Sequence, residues 1–118
     1  MLKKLLLVSP LLLTLILQGC SSSENIANLD EDFFNKGDTI AKEINDASRK
    51  DDKVLDYDLN EHESFFDKTD LNDKEEEFVY AIQELYINAV YSMNDKSYDD
   101  KLVDAKKYLK TKYGLNLK

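Results

Sequence analysis

The stretch from Leu71 to Met93, LNDKEEEFVYAIQELYINAVYSM, constrains the fold more than any other part of the chain. Phe78, Ile82, Leu85, Ala89 and Met93 recur every three or four residues, so on a helix they share one face. Val79, Tyr86 and Val90 widen that face. Asn72 followed by Glu75 is an asparagine version of the capping box. The run Glu75-Glu76-Glu77 places negative charge in the first turn, where the helix dipole favours it. A face this wide predicts a buried central helix.

Its neighbours carry the same period. Ile26, Leu29, Phe33, Ile40, Ile44 and Ala47 fall on one helical face, which predicts a helix from Ile26 onward. Gly37 lies in that stripe. It either ends one short helix, with Asp38 or Thr39 capping the next, or admits another helix at close range. Between Lys53 and Asp67, Leu55, Leu59, His62 and Phe66 follow helical spacing, whereas Leu55, Tyr57 and Leu59 also alternate as a strand would. No partner strand is evident, so a helix is expected. After the turn Asn94-Asp95-Lys96, Ser97 with Asp100 reads as a further capping pair. Tyr98, Leu102, Ala105 and Leu109 continue as a stripe. Lys106, Lys107, Lys110 and Lys112 crowd the final turns, and Gly114 suits the left-handed residue after a helix, with Leu115 folding back toward Leu109. So short a turn makes the last two helices antiparallel. The expected fold for residues 26–118 is all-α, a small bundle of three to four amphipathic helices.

The start of the chain has another character. Met1-Leu2-Lys3-Lys4 is positively charged, and Leu5 to Leu17 is apolar apart from Ser9, Pro10 and Thr14, the layout of a secretory signal. The apolar run falls short of the roughly 20 residues of a membrane span. Leu17-Gln18-Gly19-Cys20 resembles the lipobox of bacterial lipoproteins: a branched apolar residue, a tolerant position, a small residue, then cysteine. Gln18 departs from the small residue usual at its position. The resemblance implies that residues 1–19 are a signal peptide and that its peptidase recognises Leu17, Gln18 and Gly19. It also implies a diacylglyceryl group on the sulfur of Cys20, and no other cofactor is expected. A thiolate is the side-chain nucleophile best suited to forming that thioether. Residues 20–25 would be the lipidated cysteine and a serine-rich flexible tether. The protein would then be lipid-anchored to a cell membrane and face away from the cytoplasm. With its one cysteine lipidated, the mature chain would have neither free thiol nor disulfide, and packing alone would hold its fold.

Charge narrows the partners. Without Lys3 and Lys4, 14 basic side chains face 24 acidic ones, a net charge of −10. The excess lies before Lys96; from Lys96 to Lys118 there are 7 basic and 3 acidic residues. Such a chain repels nucleic acid, which is not an expected partner. The basic end either faces anionic lipid or pairs with the acidic body.

Four sets of residues invite chemistry. Asp56, Asp58, Asn60, Ser64 and Asp67 echo the alternate oxygens of a calcium loop. Glu61 stands where such a loop needs glycine, and Asp67 replaces the bidentate glutamate, so an acidic solvated element is the plainer interpretation. His62 is the only histidine, without a nucleophile elbow or thiol to work with, and the chain is not expected to be an enzyme. Lys36, Lys68 and Lys101 recur in similar short motifs, which chance explains in so Asp- and Lys-rich a chain. Tyr80 and Tyr91 fall off the main stripe of their helix, near Glu76 and Glu77. Exposed tyrosines beside acids suit recognition of another protein; equally, they could cover the edges of the core.

These features lead to an expectation of a membrane-anchored, extracytoplasmic protein-binding module whose partner offers a basic surface. In size, anchor and acidity the chain is similar to small helical lipoproteins of prophages and conjugative elements that exclude a second invader. The alternative is a lipoprotein that binds a cation or small ligand through Asp56, Asp58, Asn60 and Asp67.

Overall fold

A computed structural model of the protein describes residues 23–50 and 57–118. Those residues form an all-α bundle without strands. Helix α1 spans Glu31–Ser48, the one-turn helix α2 Glu63–Phe66, α3 Asp73–Asn94 and α4 Asp99–Tyr113. Short 3₁₀ turns at Leu59–His62 and Lys96–Tyr98 lead into α2 and α4. No helix among the described residues is long and apolar enough to cross a membrane.

The central helix begins where its capping residues require. Asn72 Oδ1 accepts from the Glu75 amide at 2.9 Å, and Glu75 Oε1 accepts from the Asn72 amide at 3.1 Å. Two amides that would otherwise lack partners are thereby satisfied. Phe78, Ile82, Leu85 and Ala89 of the expected stripe are buried, joined by Val79 and Ala81. Phe78 is the hub of an aromatic core. Its ring centroid lies 4.8 Å from Tyr113, 5.9 Å from Phe34, 6.0 Å from Phe33 and 6.2 Å from Phe65. Burying each such ring contributes about 1.5–3 kcal/mol, which is how a bundle this small holds together.

Gly37 does not end a helix. It sits inside α1, where a Cβ would come within 2.6 Å of Phe78 Cζ and 2.9 Å of Ile82 Cδ1, so close approach of α3 is the reason for glycine there. The helix begins later than Ile26 predicts. Asn25 Oδ1 accepts from the Leu29 amide at 2.9 Å, Asn28 takes a left-handed φ of 58°, and Asp30 caps α1 through the Phe33 amide. Ile26 is left exposed ahead of the helix, while Leu29 still reaches the core.

The helix expected over 53–67 is also corrected within its described part. Tyr57 and Asp58 are not helical, and Asp58 Oδ1 accepts from the Asn60 amide at 2.8 Å, starting a 3₁₀ turn that becomes only one α-helical turn. In so short a helix Phe65 takes the buried place in preference to Phe66, stacking 4.8 Å from Phe33. At the second turn Asp95, not Ser97 with Asp100, supplies the cap: its Oδ1 accepts from the Ser97 amide at 2.9 Å, and α4 starts without a side-chain cap.

Helix α4 ends as its sequence predicts. Gly114 is left-handed at φ 76°, its amide and that of Leu115 close back on Lys110 and Leu109, and Leu115 is buried. The chain then doubles back. Leu117 is buried, and the Lys118 carbonyl accepts from Asn45 Nδ2 at 3.1 Å and Lys106 Nζ at 3.4 Å. Ser23 and Glu24, read from sequence as tether, are hydrogen-bonded to this returning segment. The Glu24 amide donates to the Gly114 carbonyl at 2.9 Å, and Ser23 Oγ accepts from the Asn116 amide at 2.8 Å.

Candidate functional site

Helix α3 has a second stripe beside its core face. Tyr80, Glu84, Ile87 and Tyr91 follow one another at three or four residues, and Tyr98 at the end of the 3₁₀ turn does the same with Lys101, Ala105 and Tyr108 of α4. The antiparallel turn brings the stripes together. Near the turn the Tyr91 and Tyr98 rings lie 5.0 Å apart at 56°; at the far end Lys112 Nζ is 2.6 Å from Glu77 Oε2. Between them runs an open groove of about 1190 Å³. Tyr80 is 63 % exposed, Tyr91 50 % and Tyr108 45 %, on a chain that buries the ring of Tyr113 almost completely.

The groove is acidic. Asp73, Glu76, Glu77, Glu84 and Asp104 line it against one lysine, Lys101. Lys101 Nζ stands 4.8 Å from the Tyr98 ring centroid, and Lys112 Nζ 5.5 Å from that of Tyr108, so two tyrosines of the groove already meet an ammonium. The hydrogen bond to Glu77, and then that to Tyr108, hold the Lys112 ammonium above its ordinary pKa. Such a surface can bury aromatic area while offering carboxylates and phenol tips to a cationic segment.

All four residues singled out for recognition, Tyr80, Tyr91, Glu76 and Glu77, line this one groove. Sequence reasoning missed Ile87, Glu84, Tyr98, Lys101 and Tyr108. The repeating interval from Tyr80 through Glu84 and Ile87 to Tyr91 was the signal available on α3. The α4 half needed knowledge of which faces meet.

The other candidates stand apart from it. Asp58 is engaged in capping its turn and Asp67 closes α2. Among the described residues no three His, Cys, Asp or Glu side chains gather as metal ligands would, and Asp56 lies outside those residues. Leu17, Gln18, Gly19 and Cys20 lie outside them too. His62 joins a small polar cluster on α1, where Glu43 Oε1 accepts from the Tyr57 hydroxyl at 2.8 Å and lies 3.2 Å from His62 Nε2. Burial first, and then the bond to Glu43, push the Tyr57 phenol well above its ordinary pKa. This cluster fastens the segment ahead of α2 onto α1.

Comparison of the chain with protein-family models, with curated proteins and with solved structures finds no match in any of the three.

Proposed function

We propose that this protein is a lipid-anchored, extracytoplasmic binding module whose α3–α4 groove takes a basic segment of a partner protein. One observation carries the reading: an open groove with four tyrosines and five carboxylates against a single lysine. Exposed apolar and aromatic surface gathered in one place marks a contact surface, and the sign of its charge selects the partner. A second copy of this chain is a poor occupant, because two bodies with so large an excess of acids repel. The anchor follows from the lipobox resemblance at Leu17-Gln18-Gly19-Cys20, and a role in excluding an incoming element at the cell surface is one form the binding could take.

The test is capture from cell envelopes with the lipidated protein as bait, beside a Tyr80→Ser/Tyr91→Ser variant. Both tyrosines are exposed, so the variant keeps its melting temperature. The expected result is a basic protein held by the native bait, released by salt and absent from the variant eluate. Equal recovery on both baits counts against the groove, and recovery of nothing above a charge-matched control counts against the binding role.

A further inference from the structure

We infer that Arg49, Lys106 and Lys110 form a docking patch for anionic phospholipid headgroups, which sets how the domain sits on its membrane; this rests on the lipid-anchor reading above. Lys106 and Lys110 are one turn apart on α4, and Arg49 follows the end of α1. Asn45 of α1 and Lys106 of α4 both donate to the Lys118 carbonyl, at 3.1 and 3.4 Å, and Arg49 follows Asn45 by one turn, so the three cations gather in one place. In keeping with this, partial burial, and then the charges of Arg49 and Lys110, pull the Lys106 ammonium below its ordinary pKa. None of them has a carboxylate partner among the described ion pairs, although acids outnumber bases in the chain. Of the basic end of the sequence, Lys112 pairs with Glu77, whereas Lys106 meets the Lys118 carbonyl and none of the three cations pairs with a side-chain carboxylate among the described residues.

The tether leaves the domain from the C-terminal segment that also holds Lys106. Ser23 Oγ donates to Asp38 Oδ1 at 2.5 Å and accepts from the Asn116 amide, and Lys118, two residues further on, holds Lys106 through its carbonyl. Ser23 is the third residue after Cys20, so the Cα of Cys20 stays within about 11 Å of the Cα of Ser23 even on a fully extended chain. A lipid inserted there brings the cluster to the headgroup layer. Nucleic acid would offer similar phosphates, but nothing ties it to this spot as the anchor ties the membrane. The geometry also suits the groove. Lys106 and Lys110 lie two residues on from Asp104 and Tyr108, about 200° around the helix, so docking the patch turns the groove away from the bilayer.

The experiment reconstitutes the native lipidated protein on vesicles of phosphatidylcholine alone and of equimolar phosphatidylcholine and phosphatidylglycerol. Flotation is checked, and lysine acetylation is read by mass spectrometry. Lys106 and Lys110 are expected to be protected about threefold or more on the anionic vesicles, with Lys101 in the groove unchanged and the difference lost in high salt. Flotation with both vesicles but equal reactivity of Lys106 and Lys110 overturns the patch alone. Failure to float with phosphatidylcholine vesicles overturns the anchor reading, and the patch with it.

Discussion

Gly37 of α1 lies against the ring of Phe78 of α3, leaving no room for a Cβ between the two helices. The contact fixes how the first helix meets the central one, and through it the aromatic cluster in which Phe78 touches four other rings. In an exposed helix, Gly→Ala gains up to about 1 kcal/mol. Here Gly37→Ala forces the buried Phe78 ring and the Ile82 tip aside, and overpacking of this kind costs about 1–3 kcal/mol. The variant should melt below the native protein in a circular-dichroism scan despite its better helix propensity.

The capping box makes a second, milder test. Asn72→Ala removes the acceptor for the Glu75 amide and should lower stability by about 1 kcal/mol in chemical denaturation. Asn72→Asp keeps the acceptor and should restore most of the loss.

The segment after α4 is part of the core. Leu117→Ala empties a fully buried site and should cost about 2–4 kcal/mol. Gly114→Ala should destabilise for a different reason. Its left-handed φ strains any L side chain, and a Cβ would collide with the Glu24 carbonyl. Amide hydrogen exchange should then rise at Glu24 and Asn116 ahead of the α3 core.

Tyr113 predicts an alkaline limit. Its buried hydroxyl has no hydrogen-bond partner among the described residues, and burial, then the neighbouring Tyr108, push its pKa up to about 12. The folded state holds this proton more tightly than the unfolded chain, whose phenol titrates near its usual value of about 10. The contribution is therefore intact below about pH 10 and is lost as pH rises toward 12. Tyr57, raised further still, extends the loss. Tyr113→Phe should keep or raise stability at neutral pH, because it removes an unsatisfied buried hydroxyl, and should flatten the pH 10–12 decline in melting temperature.

What the sequence revealed and what it hid divide along the range of the interactions. The Asn72–Glu75 box, the Phe78-to-Ala89 stripe and the Gly114 ending involve residues within a turn of each other, and all were readable. Whether Gly37 broke its helix depended on Phe78, on another helix, so local spacing left both alternatives open. Ile26 fitted the stripe by interval alone, but the Asn25 turn and the left-handed Asn28 stop the helix short of it. Phe65 and Phe66 were indistinguishable because one helical turn carries no usable period. The groove divided in the same way. Tyr80 and Tyr91 stood out as tyrosines off the core face, whereas Tyr98, Lys101 and Tyr108 become part of it only once α4 folds back along α3.

The most direct test of the binding reading places a photo-activated phenylalanine analogue at Tyr80, at Tyr91 and, as control, at the exposed Asn35 on α1, in the lipidated protein in its own cells. The account predicts a cross-linked adduct to the same basic protein from positions 80 and 91 and none from 35. Adducts from position 35 alone, or one identical pattern from all three positions, would contradict it.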